Sequence, residues 1–579
     1  MIFETVAQLK LATLTAGQLV STKGYYTSGD GGAADYIVAA TQAVDGYGDL
    51  ALAGGTVAIL QIGYSLNVRQ YGLAGDSGDD TLPAQAMLTR MQDDQRSRIY
   101  FPNGIYLFSQ KLTYTQPNVN NSLTIEGEDE IQTKLKWSNA DGGIEAQLSV
   151  AAAQLTSSMT VKSISLITTA ANGGAALRVT RGASAVVAPN TLFEDVYIYQ
   201  ESGGFWNYGI HTTDSSDTWF SRCYIMNFGD STTASVFIDN NLTGQTVFGA
   251  YFSNCSFNGG TASIRSRGKL ESCYITDSSL VGALNCVDFD ATGTTSGNPH
   301  LSIKGCHING KRTAINLLGW RAVLITGTDV YSGVGAGDVD GNNLYVNGAT
   351  SLVVTGNKFE IGAPTLARSF IELVDTQDFS ITGNVMNNAS AAGIKMSGAT
   401  GIGVISANTI LGYADGTPNS EGIYNAGSLG SITYTANRIG YFAAGISNAA
   451  GSSANLITAN IFDSMTTGIF SVGGSNNYAK GNTFVSVTTE VIGTLLKEVT
   501  TQHVVDPPSI IAGGRTTVLL TVPSASLGDF VSYAAPYDVQ DLMITANVQN
   551  TNTVALYFYN PTAGAVDLPS GSWSVRVAN

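Results

Sequence analysis

One short phrase recurs between Ser351 and Val485 and constrains the fold more than anything else in the 579-residue chain. It reads Thr355-Gly356-Asn357-Lys358-Phe359, Thr382-Gly383-Asn384-Val385-Met386 and Ser406-Ala407-Asn408-Thr409-Ile410, and then returns around Asn437, Asn460 and Asn482. The asparagines step by 27, 24, 29, 23 and 22 residues. A period in this range, rich in Gly, Asn and β-branched residues, marks a solenoid. Apolar residues stand three before the Asn (Val354, Ile381, Ile405, Ile457) and two after it (Phe359, Met386, Ile410, Ile439, Phe462, Phe484). Alternation at period two turns these inward on a strand–corner–strand unit. The Asn is expected at the corner itself, where it tolerates left-handed backbone angles and its amide reaches the next Asn. Corners stacked at about 4.8 Å per rung predict an Asn ladder inside an all-β chain, a right-handed parallel β-helix built as a single-stranded solenoid.

Upstream, the same register is expected at Arg222-Cys223, Asn254-Cys255, Ser272-Cys273, Gly305-Cys306 and Gly327-Thr328, with Asp195 opening the series. Four of the five cysteines then share one stacked position as small interior residues. Zinc-site spacing is absent, and neither metal nor other cofactor is expected.

Composition narrows the partners. There are 66 Gly and only 12% charged residues, which suits short strands and tight turns. A formal net charge of −16 disfavours nucleic acid. The stretch Met1-Ile2-Phe3-Glu4-Thr5 lacks a basic segment before an apolar one, so no secretion signal is expected, and no run reaches the length of a membrane span. Five cysteines without a disulfide pattern agree with folding in a cytosol.

Residues 1–66 are turn-rich, including Tyr25-Tyr26-Thr27-Ser28-Gly29-Asp30-Gly31-Gly32. Then come Leu66-Asn67-Val68-Arg69-Gln70-Tyr71-Gly72-Leu73-Ala74-Gly75-Asp76-Ser77-Gly78-Asp79-Asp80-Thr81 and an amphipathic helix with Ala84, Met87, Leu88 and Met91 on one face. Asp80 or Thr81 is its expected N-cap. Arg98-Ile99-Tyr100-Phe101-Pro102-Asn103-Gly104-Ile105-Tyr106 follows. This segment resembles the start of pectate-lyase-like β-helices found in bacteriophage tailspikes and capsular polysaccharide depolymerases, although Ser77 replaces a usual Gly and Asp79-Asp80 arrive one residue early. The resemblance implies that Asp76, Asp79 and Asp80 are structural parts of a cap. It also implies a virion-attachment region over residues 1–66, a β-helix over 67–500 (capping segment 67–110) and a C-terminal β-sandwich over 501–579, beyond the Asp506-Pro507-Pro508 linker. It further implies a homotrimer on the phage tail, folded in the host cytoplasm. Such a protein binds and cleaves capsular polysaccharide or O-antigen at the bacterial surface, joins the tail through its N-terminus, and inserts into no membrane.

The chemistry is expected on one outward strip. After each connection the chain re-enters as Gly-Ile-x, with Ile inward and the third residue outward. Read along the stack, this gives His211, Asp239, Arg265, Asp288, Asn316, Glu372, Lys395 and Tyr424, with Asp290 two beyond Asp288. Longer connections at these coils are expected to wall the strip with Glu201, Phe205, Trp206, Tyr208, Asp230, Asp277, Tyr331 and Tyr413, joined by Asp214, Asp217, Trp219 and His300. Aromatic faces stack on sugars and carboxylates accept their hydroxyls. Glycoside hydrolysis uses paired carboxyls, one as acid and one as base or nucleophile. Asp239, Asp288 and Asp290 are the candidates, with Arg265 holding one ionised and Glu372 as a further acid. His211, Arg265, Trp206, Tyr208, Asp214, Asp217 and Trp219 are candidates for binding substrate. Two alternatives stay open: a lyase using His211 with Arg265 or Lys395 with Tyr424, and a non-catalytic glycan adhesin. Asp338-Val339-Asp340-Gly341-Asn342-Asn343 reads as a polar turn, since the later Glu of a calcium loop is missing.

Overall fold

The computed structural model describes the whole chain except residues 93–95, 117–121, 149–157, 182–190, 216, 227–231, 241–248, 269, 293–298, 334–340, 363–367, 399–400, 414–419, 428–429, 450, 453, 472–476, 494–495, 524 and 579. Asp230 and Asp338–Asp340, singled out above, lie outside the described residues. Two compact units result: 1–379 with 383–394, and 380–382 with 395–579.

The first unit begins with a small sheet in the order Ile2–Phe3, Leu19–Thr22, Ala34–Ala39, Val57–Leu60, Leu50–Ala51. Tyr36 and Val38 alternate inward there, and Val6 and Leu9 of the short helix Val6–Lys10 are buried as well. The first solenoid strand, Leu66–Asn67, pairs in parallel with Ile99 and Tyr100. Asn67 and Gln70 close a capping box on a short 3-10 turn, Val68–Tyr71. The helix Thr81–Gln92 then buries Ala84, Met87, Leu88 and Met91, the face that its spacing predicts. Asp79 accepts hydrogen bonds from the Thr81 amide and hydroxyl and from the Ser109 hydroxyl, and Asp80 accepts one from the Ala74 amide. These two carboxylates thus bind the cap to itself and to the first coils.

Asp80 is buried and its second oxygen has no hydrogen-bond partner, and burial pushes its pKa up to about 6. A carboxyl with a raised folded-state pKa contributes most when protonated, and that contribution is lost as pH rises from about 4 through 6. Asp80→Asn is therefore expected to raise the melting temperature at pH 7 and to leave it unchanged at pH 4. A wild-type melting profile without greater loss than the variant between pH 4 and 7 would contradict this.

Beyond the cap, the coils present three strand faces, supplied by three separate strands in the middle of the stack and partly by one continuous strand in coils such as Met159–Thr168, Thr191–Gln200 and Ile461–Ser471. Asn285–Asp290, His300–Lys304 and His307–Gly310 make one coil, and Ile315–Leu318, Ala322–Thr326 and Asp329–Ser332 make the next. Every strand pairs in parallel with its counterpart, so three parallel sheets enclose a core of stacked Ile, Leu, Val and Phe. Phe193, Phe220 and Phe252 stack within it at 5.2 and 4.4 Å between centroids.

The Asn ladder is present, with its geometry shifted by one residue from the expectation. The left-handed residue is the one before the Asn: Gly356 and Gly383 in the first unit, Ala407, Ala436, Ala459 and Gly481 in the second. The Asn keeps an ordinary backbone and turns its amide inward. In the first unit, Asn357 Nδ2 donates to Asn384 Oδ1 (3.0 Å) and to the Ile325 carbonyl, and Asn384 Nδ2 donates to the Val354 carbonyl. In the second, Asn408, Asn437, Asn460 and Asn482 repeat the same bonds. One side chain so satisfies both the backbone N–H of the preceding Asn and a strand carbonyl, which is why the position selects Asn.

The cysteine register also needs correction. Cys223, Cys255 and Cys306 occupy the ladder position, but Ser278 stands between them, after the left-handed Asp277. Cys273 sits on the preceding strand, in register with Ala250 and Leu301. All five thiols are free and buried, and the three ladder thiols donate to the carbonyls of Phe193, Phe220 and Ile275.

The second unit carries further coils and then two antiparallel sheets. Leu496–Val505 and Phe530–Ala534 flank Gly571–Ala578, while Arg515–Thr521 and Met543–Asn550 flank Thr553–Tyr559. Trp573, Val575, Val577, Leu556 and Phe558 share their core.

Candidate functional site

The strip lies on the sheet that contains Tyr208–Thr213, Ala234–Asn240, Ala262–Gly268 and Asn285–Asp290. Its register runs Glu145, Arg178, His211, Phe237, Arg265, Asp288, Asn316, Tyr345, Glu372. Asp239 is not in this column. The inward residue of its strand is Val236, so Phe237 takes the outward place and Asp239 falls two residues on, level with Thr213 and Arg267. Aligning Ala234-Ser235-Val236 with Ala262-Ser263-Ile264 would have shown this. The correction gives Asp239 a new partner. Asp239, Arg267 and Asp290 form a second column, with the two carboxyl-bearing residues two rungs apart, about 9.6 Å of rise. Lys395 and Tyr424, the lower end of the expected strip, belong to the second unit.

Asp288 is corrected from a solvent-facing acid to a buried anchor. Its Oδ2 accepts from Arg265 Nε at 2.9 Å and Arg267 Nη2 at 2.6 Å, and its Oδ1 from Asn316 Nδ2 at 2.9 Å. Burial alone raises its pKa, but the Asn316 amide and the two guanidiniums outweigh burial and hold it below the ordinary carboxylate range. A carboxylate this engaged has no proton to donate, and it fixes both arginines. Arg267 also donates to the Asp288 carbonyl at 2.8 Å, which draws its guanidinium toward Asp288 although its backbone is level with Asp290.

Asp290 is half-buried, and one of its oxygens is held by the Thr292 amide and hydroxyl. Asp239 lies 3.9 Å from His211 Nε2. Burial, with Arg178 close by, lowers the His211 pKa to about 4, so this contact is between a carboxyl and a neutral ring above that pH. The His211 ring clusters with Tyr208 and Phe237, each with its centroid 4.9 Å away, in a triangle of three mutually packed rings. Glu372 stands three rungs below Asp288, as the spacing predicts, and accepts from Asn342 Nδ2 at 2.7 Å.

The remaining predicted residues divide. Tyr208 borders the strip through its stacking on Phe237 at 5.5 Å. Asp214, in a left-handed conformation, donates its amide to the Asp239 carbonyl at the strand exit. Asp217 starts the turn into the next sheet, and burial, with Glu271 near, raises its pKa. Trp206 is corrected to a core residue: it is fully buried against Trp137, and its indole N–H donates to the Tyr199 carbonyl. Trp219 and His300 belong to the second sheet, Asp277 to a corner and Tyr331 to the third sheet, so none of them walls the strip. Glu201 is paired with Lys136 at 2.6 Å. Arg267, Phe237, Arg178 and Tyr345 complete the strip and escaped sequence reasoning; the Ile264-x-Ser266 alternation was the available signal for Arg267.

Comparison with known proteins adds the following. No curated protein matches the chain. The family model described as periplasmic copper-binding protein (NosD) matches residues 275–494. A tailspike from Acinetobacter baumannii bacteriophage Fri1, a capsular polysaccharide depolymerase, is similar at 12% identity, covering 100% of this chain and 97% of that one with a TM-score of 0.33. A tailspike mutant of Escherichia coli bacteriophage HK620 in complex with a pentasaccharide is 12% identical over 90% and 91% of the two chains, TM-score 0.48. PfbA, a surface adhesin of Streptococcus pneumoniae, is 13% identical over 75% and 94%, TM-score 0.37. Copper would need several donors together, and among the described residues no group of three His, Cys, Asp or Glu is placed to hold a metal ion. Within the matched range, Cys286 and Cys306 are buried, with thiols pushed up to about 12 and about 11 by burial. Their surroundings do not fit a copper site.

Proposed function

We propose that the chain is a phage tailspike that binds and depolymerises a host surface polysaccharide, capsule or O-antigen, as an endo-glycosidase. The observation that carries this reading is the column Asp239–Arg267–Asp290 on an outward face, beside an Asp288 locked by two arginines. Two carboxyl-bearing residues two rungs apart, about 9.6 Å of backbone rise, stand near the upper end of the roughly 6.5–9.5 Å between carboxyls of inverting glycosidases. One carboxyl delivers a proton to the glycosidic oxygen, and the other takes one from the attacking water. Asp288 acts as a positioning residue that holds Arg265 and Arg267. Glu372 stands on the same strip as the further acid, His211, Tyr208 and Asp214 are the binding candidates that remain beside it, and Asp217 stands at its edge. The phage assignment is supported by the sequence of the cap.

The Asp288 carboxylate partly neutralises Arg265, which weighs against β-elimination through His211 with Arg265 and leaves the Lys395–Tyr424 pair untouched. A homotrimer is supported by the second unit, where Phe530 is 80% exposed and Val504 76% exposed, and where the strand Thr483–Gly493 buries none of its residues. Copies of the chain would cover these apolar surfaces. The N-terminal sheet is the proposed attachment to the tail.

The test is incubation with purified capsule and O-antigen from a panel of Gram-negative hosts, followed by chain-length analysis and light scattering of the protein. Shortened chains without new double-bond absorbance are expected from a particle of three times the chain mass. Products that absorb would establish the lyase instead. Binding with unchanged polymer length on every substrate bound would establish the adhesin.

A further inference from the structure

A second feature lies on a different sheet from the strip. Trp219, Tyr251 and Tyr274 occupy one outward position on successive rungs. Their rings stack face to face, with centroids 4.1 and 5.4 Å apart and interplanar angles of 13° and 2°. Tyr251 is half-buried between its neighbours, whereas Trp219 and Tyr274 are both 42% exposed. On the next rung the position holds Ser302, and on the one after, Leu324, itself 38% exposed.

The stack therefore stops where a small side chain replaces a ring, and an apolar side chain resumes one rung later. Tyr274 and Leu324 stand about 9.6 Å apart along the axis, two rungs of about 4.8 Å. That gap takes one six-membered ring in contact with both. His300 and Lys304, two residues to either side of Ser302, are exposed on the same face and line the rim with hydrogen-bonding groups. Exposed Glu271 and Asp277 stand beside them and outnumber the single lysine, which disfavours an anionic sugar here.

We propose that this notch binds a neutral pyranose. The C–H face of the sugar packs on the free face of Tyr274, Leu324 closes the other side, and Ser302, His300 and Lys304 bond its hydroxyls. The site gives the protein a second hold on glycan, independent of cleavage at the strip.

Saturation-transfer NMR with methyl β-glucopyranoside and methyl β-galactopyranoside tests the proposal on the full chain. Transfer to the ring C–H protons of at least one sugar is expected. Tyr274→Ala is expected to reduce it at least fivefold. Ser302→Tyr, which extends the stack into the gap without removing any contact, is expected to do the same. Tyr208→Ala, which removes a binding candidate from the strip, should leave it unchanged. Equal transfer in wild type, Tyr274→Ala and Ser302→Tyr would overturn the notch, as would no transfer to wild type. Loss of signal in Tyr208→Ala would move the sugar to the strip. A change of mass on light scattering for Ser302→Tyr, with no transfer to wild type, would assign this face to contact between copies of the chain. Failure of polymer cleavage would bear on the strip alone and leave this result standing.

Discussion

Replacing Asp290 by Asn is expected to lower polysaccharide cleavage by about 10²–10⁴-fold, with binding of the uncut polymer and the melting temperature nearly unchanged. The same is expected for Asp239→Asn. Each substitution keeps the shape of the side chain and removes its proton chemistry. Asp290 tolerates the change because its described hydrogen bonds are local, to the Thr292 amide and hydroxyl, and an Asn oxygen accepts both. Asp288→Asn is expected to behave differently. A neutral amide cannot balance Arg265 and Arg267, so stability and activity should fall together. Chain-length assays and melting curves on the three variants separate the roles. Full turnover by Asp239→Asn or Asp290→Asn would remove that residue from the reaction. A stable, inactive Asp288→Asn would mean that Asp288 itself acts on substrate.

The sequence made the coil legible because a parallel solenoid repeats its inward positions, and its residues follow that repeat closely. Val354, Ile381, Ile405 and Ile457 fell on the inside as their spacing required. What escaped was set by a single residue of phase. Asn tolerates left-handed angles, so it was a natural occupant of the corner. The structure instead places Ala407, Ala436 and Ala459 there at φ of 54–55°, a conformation that costs such residues about 1–2 kcal/mol each. The gain from an inward, doubly bonded Asn offsets that cost, and nothing in the Ala itself announces it. Asp239 slipped for a related reason: Val236 and Ile238 are both apolar and two apart, so either could be taken as the inward residue facing Ile210. Trp206 was misplaced because an aromatic residue in a long connection reads the same whether it faces sugar or, as here, folds back over Trp137. Local pattern fixes which residues alternate. Pairing with the coil above decides which phase of the alternation is used.

The Asn ladder yields the second large effect, on stability. Asn437 is buried and joins three partners within the second unit. Its Oδ1 accepts from the Asn408 backbone N–H and from Asn408 Nδ2, and its own Nδ2 donates to the Ile405 carbonyl and to Asn460 Oδ1. Asn437→Ala strands the Asn408 amide and the Ile405 carbonyl in the core and removes one donor from Asn460. Each buried group left unpaired costs about 1–3 kcal/mol, so a loss on the order of 3–5 kcal/mol is expected, near the top of the range for single substitutions. Asn437→Thr should cost less. Thr328 already occupies this position on an upstream coil, where its hydroxyl serves the Cys306 amide and the Thr326 carbonyl. Asn482→Ala, at the half-buried end of the series, should cost least, because water reaches the groups it strands. Unfolding rates in denaturant measure the series, since a long parallel coil is better described by its kinetic than by its equilibrium stability. The expected order of unfolding rates is Asn437→Ala, Asn437→Thr, Asn482→Ala, wild type, from fastest to slowest. Equal rates for Asn437→Ala and wild type would mean that side-chain stacking, and not the amide ladder, holds the coils together.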